Sequence, residues 1–72
     1  MAETEKHKVL RLPEVQAVTG LGRSAIYEQI SAGKFPRAIS LSSKSVGWIE
    51  AEVQVWIEER VAERNARLEK VS

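Results

Sequence analysis

Three residues, Gly20-Leu21-Gly22, separate two short helical patterns, and no other feature narrows the choice of fold as much. Before them, Leu12, Val15 and Val18 (or Thr19) share one face across residues 13–19. Pro13 opens that stretch, where its missing N–H falls among the donors a first turn leaves unpaired anyway. Gly20 is the stop, because glycine tolerates the left-handed backbone that ends helices. After the corner the pattern is helical again from Arg23 to Ala32: Ile26 and Ile30 lie four apart, Leu21 is on the same side, and Gly33 closes the segment. A corner this tight makes the two helices cross with their apolar faces together and leaves the outer face of the second one open, which is the helix-turn-helix arrangement.

The remainder of the chain extends this unit. Val9 to Leu12 alternates apolar and charged residues over a short span and reads as an extended lead-in. Phe35-Pro36 breaks the helix and fixes an extended exit. Ile39 and Leu41 alternate with Ser40, Val46 and Trp48 flank Gly47, and the polar run Ser42-Ser43-Lys44-Ser45 stands between them, the pattern of a β-hairpin. An isolated hairpin is unstable in water, so its apolar side is expected on the helices. Ile49, Val53, Trp56, Ile57 and Val61 then form a single stripe on a long helix from about residue 50 to 69, with Glu50 and Glu52 near its start and Arg64, Arg67 and Lys70 toward its end. Beyond Val61 the stripe thins, so the end of this helix is expected to project past the core. The predicted fold is mainly α with a small β-hairpin, a winged helix-turn-helix whose wing is two-stranded. Residues 1–8 form an N-terminal arm, 9–64 the folded domain and 65–72 the tail of the last helix.

Composition bounds the function. At 72 residues with no cysteine, the chain has one small core, of the size that supplies about 3–5 kcal/mol, and no disulfide to reinforce it. Aspartate is absent and His7 is the only histidine, a poor kit for acid–base, nucleophilic or metal chemistry. No cofactor, metal site, small-molecule substrate or enzyme activity is expected. The longest apolar runs are two or three residues, which excludes a membrane span and a secretory segment and makes a cytoplasmic binding protein the expectation. The net charge of +1 conceals a division. Residues 6–48 carry seven bases against Glu14 and Glu28, whereas residues 49–72 carry six glutamates against four bases. A basic body of this kind favours a polyanion such as double-stranded DNA.

Three features make the DNA reading concrete. The free face of the second helix presents Arg23, Ser24, Tyr27, Glu28 and Ser31, and a helix fits the major groove, where each base pair shows its own pattern of donors, acceptors and methyl groups. The start of that helix, Gly22-Arg23-Ser24, offers unpaired N–H groups to a phosphate. The hairpin tip carries Ser43 and Lys44, with Arg37 at its base, and Lys34 precedes it, groups suited to holding a backbone or entering a minor groove. Plainer readings stand beside these. Arg23 only caps or pairs with Glu28 on its own helix, Tyr27 packs its ring against the wing, the lysines are solvated, and the wing serines only form the turn. Trp48 and Trp56 read as core anchors.

Taken together, Arg11-Leu12-Pro13-Glu14-Val15, Thr19-Gly20-Leu21-Gly22-Arg23-Ser24, Ile26-Tyr27, Gly33-Lys34-Phe35-Pro36 and Val46-Gly47-Trp48, running into Glu52-Val53 and Trp56-Ile57, resemble the AlpA-type phage regulators within the excisionase-like and MerR-like winged helices. The resemblance spans about residues 10–64. It implies a small DNA-binding protein of a prophage or genomic island, acting either as a transcriptional activator of an adjacent recombinase gene or as a recombination directionality factor that binds and bends attachment-site DNA. It also implies that Arg23, Ser24 and Tyr27 lie on the recognition helix and Lys44 in the wing. Two positions depart from the family pattern. Gly22 stands where a small polar cap is usual, losing a side-chain cap. Glu28 stands where a basic or neutral residue is usual, placing an anion near the DNA face, where it lowers nonspecific affinity or enforces selectivity. So small a body makes few phosphate contacts, so self-association on repeated or paired sites is a further expectation. A protein-interaction module using the last helix as a partner strip is the competing class.

Overall fold

The computed structural model describes residues 7–71, and the side chains of residues 7–68. Of the expected N-terminal arm, residues 1–6 lie outside the described residues. The order of elements is β1 (Val9–Leu10), α1 (Leu12–Thr19), α2 (Arg23–Ser31), β2 (Ile39–Ser42), β3 (Ser45–Ile49) and α3 (Glu50–Val71).

The corner forms as its glycines require. Gly20 adopts φ 74° and donates its N–H to the Gln16 carbonyl at 2.8 Å. The Thr19 hydroxyl donates to the Val15 carbonyl at 2.7 Å and accepts from the Leu21 N–H at 3.2 Å. Thr19 therefore turns inward, and Val18, its alternative on the apolar face, is exposed. At the start of α1 the Glu14 carboxylate accepts the Arg11 N–H at 2.8 Å, satisfying one donor ahead of the first turn. At the far end of α2, Gly33 adopts φ 75°, with Gly33 N–H donating to the Ile30 carbonyl at 3.0 Å and Lys34 N–H to the Gln29 carbonyl at 2.8 Å. This pair of bonds is the Schellman closure, which satisfies carbonyls the helix leaves open.

The two-stranded wing, β2 with β3, forms as expected, but it belongs to a larger sheet. That sheet has three antiparallel strands in the order β1-β3-β2, because Val9 pairs with Ile49 and Leu10 with Trp48. The lead-in is thus a strand, and the first strand of the hairpin is not what anchors the wing. Ile39, Leu41 and Val46 remain 37%, 42% and 40% exposed, so of the hairpin's apolar residues these three do not lie on the helices, whereas Trp48 does as expected. The wing is held through its inner strand instead: Trp48 is fully buried and donates its indole N–H to the Pro36 carbonyl at 3.1 Å. Gly47 sits where β1 and β2 crowd β3 most closely. A Cβ there would meet Val9 Cγ1 at 2.5 Å, the Leu10 carbonyl oxygen at 3.1 Å and Leu41 Cδ1 at 3.1 Å.

Leu10, Val15, Ile26, Phe35, Trp48 and Val53 form the core, with Leu12, Leu21, Ile30, Ala38, Trp56 and Ile57 packed around it. Phe35, read from sequence only as part of a helix break, is a core residue whose ring meets that of Trp56 edge-on at 4.9 Å. Trp56 is half-buried rather than enclosed and donates its indole N–H to the Lys34 carbonyl at 2.7 Å. The stripe on α3 leaves the core at Ile57, one turn earlier than the sequence pattern, since Val61 is 42% exposed. From Glu58 to Leu68 every residue of α3 is exposed.

Candidate nucleic-acid interface

The packing of α2 decides which of its sides is free. Ile26 is fully buried and Ile30 is half-buried, whereas Arg23, Ser24, Tyr27, Glu28 and Ser31 are all exposed. Ser24, Tyr27, Glu28, Ser31 and Ala32 line one shallow open depression along that outer face. No segment of the described residues covers it, α3 included.

Tyr27 links this face to the interior. Its ring meets the Trp48 ring edge-on at 6.4 Å, and the Arg23 guanidinium lies over the Tyr27 ring at 5.9 Å from its centroid. Trp48, Tyr27 and Arg23 thus form a series running from core to surface, and an arginine held over an aromatic face is restrained at little cost in hydrogen bonds. The plainer reading of Tyr27, a ring against the wing, is what the structure shows, with the residue still 39% exposed. The plainer reading of Arg23 is not. Arg23 and Glu28 are five residues apart, which at 3.6 residues per turn puts them about 140° apart around the helix. Among the described residues neither makes an ion pair.

Gly22 occupies the N-cap of α2 with φ −78° and ψ 170° and supplies no side chain to cap it. Its Cβ position is open, with nothing within 4 Å. The first N–H groups of α2 therefore have no capping side chain and face the same end of the helix as Arg23 and Ser24.

At the wing tip, residues 43–44 connect β2 to β3. The hydroxyls of Ser42 and Ser45 bond each other at 2.7 Å, and Ser42 Oγ accepts the Lys44 N–H at 3.2 Å. These two serines are turn formers, as the plainer reading held. The Ser43 hydroxyl and the Lys44 ammonium project from the turn without a side-chain partner among the described residues, and both residues are exposed. Arg11, not singled out from sequence as part of the wing, braces it by donating Nε–H to the Val46 carbonyl at 3.0 Å. That bond spans 35 residues, and no spacing rule would have found it.

Lys34 and Arg37 are placed apart from these groups. Both line a separate groove between the segment 33–39 and α3, opposite Glu52, Glu59 and Glu63, with Trp56 at its side. The nine sequence candidates thus divide into the α2 face (Gly22, Arg23, Ser24, Tyr27, Glu28), the wing tip (Ser43, Lys44) and this groove (Lys34, Arg37). Among the described residues no group of three or more His, Cys, Asp or Glu is placed to hold a metal ion, and no helix is long and apolar enough to cross a membrane.

A helix-turn-helix with its second helix uncovered, followed by a braced hairpin and a long closing helix, defines a winged helix-turn-helix protein. The chain belongs to the AlpA family: residues 8–61 match the family described as "Prophage CP4-57 regulatory protein (AlpA)". It is 42% identical over 64 residues to a protein of Enterobacteria phage P4 named "Uncharacterized protein ORF88", covering 89% of this chain and 73% of that one. It is 41% identical over 59 residues to the "DNA-binding transcriptional activator AlpA" of Escherichia coli strain K12, covering 74% of this chain and 84% of that one.

Proposed function

We propose that this chain is a sequence-specific DNA-binding transcriptional regulator of a prophage or genomic island. Helix α2 enters the major groove, and the wing tip rests on the backbone or in the minor groove. One observation carries this reading: α2 is seated on the core through Ile26 and Ile30 while its opposite side presents Arg23, Ser24, Tyr27 and Glu28 uncovered. An uncovered polar helix face fits the width of the major groove and its donor and acceptor pattern. The name of the E. coli relative, a DNA-binding transcriptional activator, supports the same reading.

The roles follow from placement. Arg23 and Ser24 reach base edges or phosphates, Tyr27 holds Arg23, Gly22 lets a phosphate approach the uncapped N–H groups, and Ser43 and Lys44 hold the backbone. Lys34 and Arg37, set apart in their own groove, contribute long-range attraction to phosphate rather than base contacts. The function is one of binding, in the cytoplasm, with no catalytic step. Copies assemble side by side on paired or repeated sites, since one body of this size makes few phosphate contacts.

Footprinting combined with affinity at several salt concentrations tests the proposal. Protection of a promoter site, with affinity that falls steeply as salt rises, is the expected result. Protected repeats in attachment-site DNA, with bending, would instead assign the chain as a recombination directionality factor. A salt-insensitive complex with a protein and no DNA shift would overturn the DNA reading.

A further inference from the structure

We infer that Glu28 is a specificity determinant that selects cytosine at one position of the bound DNA; this rests on the placement of α2 in the major groove proposed above. Glu28 is exposed on the outer face of α2, in the same depression as Ser24, Tyr27 and Ser31. No basic side chain neutralises it among the described residues: the nearest arginine on the helix, Arg23, is turned about 140° away and lies over the Tyr27 ring instead. An unpaired carboxylate on this face repels phosphates and weakens binding to DNA in general. It gains only where a donor on a base edge meets it.

The major groove offers few such donors. Guanine presents N7 and O6, both acceptors, and thymine presents an acceptor and a methyl group. Adenine offers an amino donor but places the N7 acceptor beside it. Cytosine alone presents its N4 amino donor without an adjacent acceptor on the same base, and an ionised carboxylate is acceptor-only. Glu28 therefore acts in two directions at once, accepting a hydrogen bond from cytosine and penalising the other three bases. The hydroxyls of Ser24 and Ser31 border the same depression and both donate and accept, so they do not impose this sign. Glu28 does.

The test is selection of binding sites from a randomised duplex library at fixed salt with the full chain, Glu28→Gln and Glu28→Ala. Affinities are then measured on four probes differing at the assigned base pair and on random-sequence DNA. Both variants are checked for folding by circular dichroism. The wild-type chain is expected to select a site containing a cytosine preferred roughly tenfold over the other bases. Glu28→Ala should lose the preference at that position alone while binding random DNA more tightly. Glu28→Gln should shift it toward adenine, which an amide contacts through N6 and N7. An identical selected site from all three proteins would overturn the assignment and leave the DNA-binding reading intact. A chain that selects and shifts no DNA would overturn both.

Discussion

Gly47→Ala should destabilise the domain far more than a single methyl group ordinarily does. The added Cβ would lie 2.5 Å from Val9 Cγ1 and 3.1 Å from both the Leu10 carbonyl oxygen and Leu41 Cδ1. Val9 and Leu41 are side chains that can rotate, but the Leu10 oxygen belongs to the backbone of the strand paired with β3. Relief therefore requires β1 and β3 to separate at the point where Trp48 enters the core. Overpacking of this kind costs about 1–3 kcal/mol, a large share of the roughly 3–5 kcal/mol a core this small supplies. At about 4–8 °C per kcal/mol for a domain of this size, the thermal midpoint should fall by about 4–24 °C. Urea and thermal unfolding, followed by circular dichroism and tryptophan fluorescence, give the number. Val9→Ala in the same chain should recover part of the loss by removing the closest clash. Gly22→Ser serves as a counter-example, since its Cβ position is open and its φ is −78°. It should be neutral or stabilising by up to about 1 kcal/mol through a gained cap and a less flexible unfolded chain. A Gly47→Ala protein as stable as the wild type would refute the close approach of the three strands.

Further outcomes follow from the same geometry. Trp56→Ala should cost about 2–3 kcal/mol in urea unfolding, below the ~3–5 kcal/mol of a fully enclosed tryptophan, because Trp56 is half-buried and loses one hydrogen bond to Lys34; an unchanged melt would remove it from the structure. Arg23→Ala should weaken binding to the selected site by about 1–3 kcal/mol while leaving unfolding unchanged; equal affinity would exclude Arg23 from the interface. Lys44→Ala should weaken different DNA sequences about equally and flatten the salt slope by about one unit, and a sequence-dependent loss would assign it to base contact instead.

Much of this fold is legible because glycines mark it. Gly20 and Gly33 both adopt the left-handed conformation that their positions after helical patterns predict, and α2 begins at Arg23 as read. Two features escape a pattern-based reading for physical reasons. Val9–Leu10 is only two residues long, too short for an alternation to register, so its pairing with β3 emerges only in three dimensions. Phe35 looks like part of a break because Pro36 follows it, yet a turn that must fold back over α3 can bury its one aromatic ring. The core stripe ends before its spacing does, because Val61 continues the helical pattern after the sheet and turn no longer cover that side. As for the interface, the exposure of Arg23, Ser24, Tyr27 and Glu28 follows directly from the burial of Ile26. The Arg23–Tyr27–Trp48 series, the Arg11 brace on the wing and the separation of Lys34 and Arg37 do not, because each depends on contacts between segments far apart in sequence.

Amide and side-chain shift mapping by NMR, as a duplex carrying the selected site is added to the labelled full chain, addresses the central claim most directly. The account predicts that the largest changes fall at Gly22, Arg23, Ser24, Tyr27, Glu28 and Ser31, with a second group at Ser43 and Lys44. Changes confined to residues 33–39 and the adjoining side of α3, with α2 unmoved, would contradict it.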